Sequence, residues 1–122
     1  MRGWARRRDG SSPGKTKVNY QEAKARSQVL KAVAHPTRVL LVDALRSGEK
    51  CVMDLRRVAE VDGSTISEHL NRLRVVGIVD CRKEGQRVFY RLENPCVLTV
   101  LDCAMRAFTA AAKKRNRLLK GA

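Results

Sequence analysis

The sequence predicts a mainly α-helical domain carrying one small two-stranded β-hairpin, and three observations lead there. Apolar residues recur at helical spacing through successive short segments from Tyr20 onward. Gly and Pro punctuate those segments at short intervals. After Gly77 the period shortens to that of strands, and it lengthens again beyond Asn94-Pro95. A chain of 122 residues suffices for one modest core and is too short for two. Function must therefore sit on a single fold and its tails.

The elements follow in order. Residues 1–18 hold Arg2, Arg6, Arg7, Arg8, Lys15 and Lys17 among Gly, Ser and Pro, a composition that cannot bury enough surface to order itself, so a disordered basic arm is expected there. The folded domain is expected over 19–119, with a short tail at 120–122. Ala23, Ser27, Leu30 and Ala34 mark a first helix that ends at His35-Pro36, because proline disfavours helix in the residue before it. A second helix begins at Pro36, turns Val39, Leu40, Val42 and Leu45 inward, and stops at Ser47-Gly48. Val52, Leu55, Val58 and Ala59 define one face of a short third helix that ends before Asp62-Gly63.

A fourth helix is capped by Asp62 or by Thr65, the latter standing at capping-box distance from Glu68. It packs Ile66, Leu70 and Leu73 and leaves Ser64, Thr65, Ser67, Glu68, Asn71 and Arg72 outward. The hairpin pairs Ile78-Val79-Asp80-Cys81-Arg82 with Val88-Phe89-Tyr90-Arg91-Leu92 across a Glu84-Gly85-Gln86 turn. Asn94 then caps a last helix with Pro95 in its first turn, running towards Leu118.

Charge narrows the partners. Lys and Arg number 26 against 12 Asp and Glu, a formal charge of +14, which attracts a polyanion. Two short helices joined by a tight turn, the second with small polar groups on its free face, are the parts of a helix-turn-helix. Ser, Thr and Asn suit a face that must enter a major groove and hydrogen-bond base edges. Arg72, Arg74, Arg82, Lys83 and Arg87 are placed to meet phosphate, and the hairpin supplies a basic wing. Duplex DNA is thus the expected partner. A basic RNA-binding module would share the charge and leave the helix-turn-helix and wing without a purpose.

The segment from His35-Pro36-Thr37-Arg38 to Leu92 resembles the ArsR/SmtB family of metal- and metalloid-responsive repressors. The resemblance rests on that opening motif, on Glu49-Lys50-Cys51-Val52-Met53-Asp54-Leu55, on Ser64-Thr65-Ile66-Ser67-Glu68-His69-Leu70, and on Arg82-Lys83-Glu84-Gly85 ahead of Tyr90. It implies a dimeric winged helix-turn-helix repressor that leaves its operator when an inducer binds. Carried over by position, Ser64, Thr65, Ser67, His69, Asn71 and Arg72 lie on the recognition helix, and Lys83 and Arg87 on the wing. Glu68 departs from the basic residue often found there. It is better suited to capping its helix or to accepting from a cytosine amino group.

The last helix agrees with a dimer. At about 100° per residue, Leu98, Leu101, Met105 and Phe108 cluster on one side while Val100 and Ala107 occupy another, so the helix is apolar over more than half its circumference. One face serves its own core and the other a second copy. The cationic run at 113–117 is expected to be solvated.

Four cysteines are expected to be reduced, because no apolar run of about 18 residues and no secretory leader is visible and the chain is expected to remain in the cytosol. In the resemblance, Cys51 stands at the first position of the Cys-Val-Cys motif of arsenic-responsive members, and Met53 replaces the second. Cys96 and Cys103 resemble cysteines that some members place at the start of the last helix. Trivalent arsenic or antimony, which prefers thiolates, is the implied inducer at Cys51, Cys96 and Cys103, with cadmium or another thiophilic metal as alternatives. No cofactor is expected to be needed for DNA binding itself. Residues seven apart on a helix are separated by roughly 10 Å, too far for one ion with bonds of about 2.3 Å to sulfur. The site then needs an unwound helix start, or thiols of both subunits, or Cys51. Thiol redox or persulfide sensing is the alternative response.

Two readings are set aside. A zinc site on the last helix lacks ligands, since His35 and His69 lie elsewhere; His35 is expected to cap or pack at its helix junction. An enzyme lacks its parts: there is no phosphate-cradling glycine loop, no nucleophile elbow and no His-rich metal cluster.

Overall fold

A computed structural model of the chain describes residue 14 and residues 16–121, so the arm expected over 1–18 lies almost wholly outside the described residues. Five helices and three short strands follow in the order α1 (Tyr20–Val33), α2 (Pro36–Ala44), β1 (Lys50–Cys51), α3 (Val52–Ala59), α4 (Gly63–Val75), β2 (Val79–Glu84), β3 (Arg87–Leu92) and α5 (Cys96–Lys120). Capping explains most boundaries. Asn19 accepts from the Glu22 amide to start α1, and His35 Nδ1 accepts from the Thr37 amide to start α2 with Pro36 at its first position. The second helix tightens into a 3₁₀ turn, Leu45–Ser47, and ends at Gly48, whose φ of +126° suits a residue without Cβ.

The core is assembled chiefly by the three middle helices. Leu41, Val42, Leu55, Ile66, Leu70 and Leu73 are wholly excluded from solvent, Val79 nearly so, and Leu45, Ile78, Ala32 and Val33 complete the cluster. Each large side chain so buried contributes about 1.5–3 kcal/mol, which fixes α2, α3 and α4 against one another. The phase of α2 differs from expectation. Leu41 points inward, while Val39 and Leu40 are partly exposed, because an unbroken run of four apolar residues leaves the inward face undefined. Val58 likewise is 45% exposed, since α3 is only eight residues long and is held mainly by Leu55.

The wing is larger than a hairpin. Lys50 and Cys51 pair antiparallel with Tyr90 and Phe89, giving a three-stranded sheet in the order β1-β3-β2. Glu84 pairs with Arg87 across Gly85 and Gln86, and Gly85 takes the positive φ that this two-residue turn requires. The terminal helices pack least. Only the last turn of α1 reaches the core, and α5 contains no buried residue although Val97, Leu98 and Leu101 lean on the core. Asn94 does not cap α5 with its side chain, as expected from sequence; its carbonyl accepts from the Val97 amide instead. The helix also continues through Lys120, into the stretch assigned to a tail.

Candidate nucleic-acid interface

The fourth helix is held from behind and free in front. With Ile66, Leu70 and Leu73 in the core, the opposite stripe carries Ser64, Glu68 and Asn71, flanked by Ser67 and Arg72, all exposed; Thr65 is half-buried at the edge. Asp62 anchors the start: its Oδ1 accepts from the Thr65 amide at 2.7 Å and from the Ser64 hydroxyl at 2.9 Å. These bonds hold the Asp62 carboxyl down at about 2, with Arg56 adding to the effect. The Thr65 and Glu68 capping box therefore does not form. Glu68 instead lies on the outer stripe and pairs with Arg72 at 3.4 Å. Ser67 donates to the Gly63 carbonyl at 3.0 Å, which commits its proton and leaves its oxygen lone pairs outward.

His69 is not on that free face. It is half-buried, its Nδ1 accepts from Arg38 Nε at 3.0 Å, and its ring meets that of His35 with centroids 4.6 Å apart. Burial, then the charges of His35 and Arg38, push the His69 pKa below its ordinary value. No spacing in the sequence signals this contact, because the partners lie 31 positions apart.

The wing cations divide into two kinds. Lys83 and Arg87 are exposed next to the Gly85 turn. Arg82, by contrast, donates to both Glu49 oxygens at 2.6 and 2.8 Å and to Glu84 at 2.6 Å, and its guanidinium lies 4.6 Å from the centre of the Phe89 ring. Its pKa is raised, first by Glu49 and then by Glu84, and the pull of Arg82 lowers that of Glu49. Arg82 thus ties the wing to the segment before β1 and is not a free phosphate contact, contrary to the sequence reading. Between the wing and α3 lies a cleft of about 610 Å³ lined by Cys51, Arg57, Arg87 and Tyr90 among others, with Ser67 of α4 at its edge.

The thiols are spread out. Cys51 is half-buried at the N-cap position of α3; Cys81 faces Tyr90 across β2 and β3. Burial and the neighbouring Cys81 raise the Tyr90 pKa. Cys96 is the first residue of α5 and Cys103 lies two turns along, both exposed. Among the described residues no group of three His, Cys, Asp or Glu side chains is close enough to hold a metal ion, so Cys51, Cys96 and Cys103 do not converge within one chain. Cys103 follows Asp102, whose carboxylate receives two bonds from Arg46, the polar tie between α5 and the end of α2.

On α5, Leu98 and Leu101 are half-covered by the chain's own core, whereas Met105 and Phe108 are 58% and 64% exposed. No helix among the described residues is long and apolar enough to cross a membrane.

Comparison with known proteins matches this arrangement. Residues 35–80 fit the family model described as bacterial regulatory protein, arsR family. The chain is similar to the biofilm growth-associated repressor of Agrobacterium fabrum, with 35% identity over 82 residues covering 67% of this chain and 70% of the relative. It is also similar to the repressor of the same name from Xylella fastidiosa strain 9a5c, with 31% identity over 108 residues covering 88% and 95%. Among solved structures, the AntR antimony-specific transcriptional repressor superposes with a TM-score of 0.69 at 29% identity, covering 89% of this chain and 99% of that one.

Proposed function

Because the chain belongs to the ArsR/SmtB family of DNA-binding transcriptional repressors, which are not enzymes, we propose that it acts as a homodimer with one α4 from each protomer in adjacent major grooves of an operator. In this reading Ser64, Thr65, Ser67 and Asn71 address base edges, while Arg72, Lys83 and Arg87 neutralise phosphates. The observation that carries it is the two-sidedness of α4: a wholly buried apolar face behind and a small, polar, exposed face in front, framed by the wing. Leu98, Leu101, Met105 and Phe108 supply the dimer contact, supported by the apolar surface that α5 leaves open.

The inducer is assigned to the thiols, with trivalent arsenic or antimony at Cys51, Cys96 and Cys103 as the leading ligand and cadmium as another thiophilic candidate. Support comes from the place of Cys51, which lines the cleft between the wing and α3 beside Arg87, so that a change there bears on the wing and on the helix that packs behind α4. The similarity to a repressor described as antimony-specific adds to it. Since one chain does not bring three thiols together, the reading requires thiols from both subunits or a rearranged start of α5. A second reading, thiol oxidation or persulfidation, needs only two sulfurs and is supported by the exposure of Cys96 and Cys103.

The test is a titration of the reduced protein on its own upstream DNA with arsenite, antimonite, cadmium, zinc and peroxide, repeated for Cys51→Ser, Cys96→Ser and Cys103→Ser. Release by arsenite or antimonite that each substitution abolishes is the expected result. Release by peroxide alone would favour the redox reading. If no substitution alters any response, the thiol assignment is wrong.

A further inference from the structure

Two imidazoles and a guanidinium meet where α1, α2 and α4 converge. Arg38 donates through Nη1 to the Ala32 carbonyl at the end of α1, at 3.1 Å, and through Nε to His69 Nδ1 on α4. Since a guanidinium has no acceptor, His69 Nδ1 must present a lone pair, and the bond exists only while that imidazole is neutral. His35 is bound by the same logic, for its Nδ1 accepts from the Thr37 amide at the cap of α2. The two rings are in contact, so a proton gained by His69 puts a cation against Arg38 and against the ring of His35.

We propose that Arg38 and His69 are positioning residues for operator reading: the neutral imidazole, held by the guanidinium, sets the seating of α4, and acid releases it and weakens specific binding. This rests on the reading of α4 as the helix that reads DNA.

The surroundings support the direction. From α2, His35 and Arg38 face His69; from α4 itself, Glu68 and Arg72 do; from α1, Lys31 borders the same groove as Arg72. Glu68 is the one acid in this set, and it is paired with Arg72. A second positive charge is therefore poorly accommodated, and burial opposes it further. The lever is short. His69 stands one turn after Thr65 and one turn before Arg72 on the helix that also carries Ser67 and Asn71, so a change in the seating of its turn re-aims the groups assigned to the bases.

The sign of the effect is diagnostic. Protonating histidines adds positive charge and by itself tightens binding to any duplex, whereas loss of seating lowers the preference for operator over scrambled DNA. The experiment measures the full chain on both duplexes at one salt concentration from about pH 8 to about pH 4.5, a range reaching well below the ordinary histidine value because His69 titrates lower. The operator preference of the wild type should fall about tenfold on acidification, the worth of one hydrogen bond to a charged group. His69→Asn, which keeps an acceptor that does not titrate, should match wild type at the alkaline end and lose the fall. Arg38→Gln should bind operator weakly throughout. A wild-type preference that stays level or rises in acid, or a His69→Asn profile that still falls in full, would overturn the proposal. If Thr65→Ala, Ser67→Ala and Asn71→Ala together leave operator binding intact, the reading of α4 fails and takes this proposal with it; a level profile beside a sensitive triple variant refutes the proposal alone.

Discussion

Truncation of Phe108 to alanine asks how α5 is used. The residue is 64% exposed in the single chain, and an aromatic side chain presents roughly 200 Å², leaving about 130 Å² of largely apolar surface open per protomer. At about 25 cal/mol per Å², covering it contributes about 3 kcal/mol. A twofold interface uses the residue twice, so full coverage gives about 6 kcal/mol per dimer, and partial coverage about half of that. The rigid-body cost of association is common to wild type and variant and cancels in the difference. Phe108→Ala should then raise the dimer dissociation constant by between about a hundredfold and about ten-thousandfold. Sedimentation velocity over a dilution series reads this directly. Val75→Ala, at an even more exposed apolar position on α4, is the control and should leave the dimer unchanged. A wild type that stays monomeric at micromolar concentration, or a Phe108→Ala protein as dimeric as wild type, would refute the assignment of this face.

Other expectations follow from the same geometry. Leu70→Ala removes a wholly buried side chain beneath the reading face and should cost about 3 kcal/mol, a fall in melting temperature of about 12 °C for a domain of this size; calorimetry at fixed protein concentration would detect it, and a fall below about 4 °C would contradict the core described. The Asp62 carboxyl titrates at about 2 in the fold, below its ordinary value, so its capping contribution is complete above about pH 4 and is lost as pH falls towards 2. Asp62→Asn keeps the acceptor without the titration and should reduce the acid sensitivity of the helical circular dichroism signal; an unchanged acid profile would count against the cap. Lys83→Ala and Arg87→Ala should weaken operator and scrambled duplex alike and each lower the slope of affinity against salt by about 1. A loss confined to the operator would make either residue a base reader.

Much of this fold was legible because the chain punctuates itself. His35-Pro36, Ser47-Gly48, Asp62-Gly63, Gly77 and Asn94-Pro95 each end or begin an element, and each acts locally through a cap or a forbidden conformation. What escaped was set by distant partners. Strand β1 is two residues long and exists only because Tyr90 and Phe89 lie beside it. Glu49 claims Arg82 from 33 positions away, and Arg38 claims His69 from 31, so a side chain placed among the DNA contacts by type and spacing and another placed there by the family resemblance are engaged inside the protein. The inward phase of α2 was ambiguous because every residue from Val39 to Val42 is apolar. The thiols illustrate the limit of spacing most clearly: Cys96 and Cys103 share a helix with Asp102, yet nothing in their order fixes how near Cys51 they come.

Whether the outer stripe of α4 distinguishes one duplex from another decides the function proposed for this chain. The decisive comparison is the affinity of the wild type and of the protein carrying Thr65→Ala, Ser67→Ala and Asn71→Ala together, each for operator and for scrambled DNA at matched salt. Operator affinity of the variant should drop by at least about a hundredfold, since each good pairing of a side chain with a base edge is worth about 1–3 kcal/mol, while scrambled affinity stays where it was. Equal operator affinity for the two proteins would contradict the reading of α4.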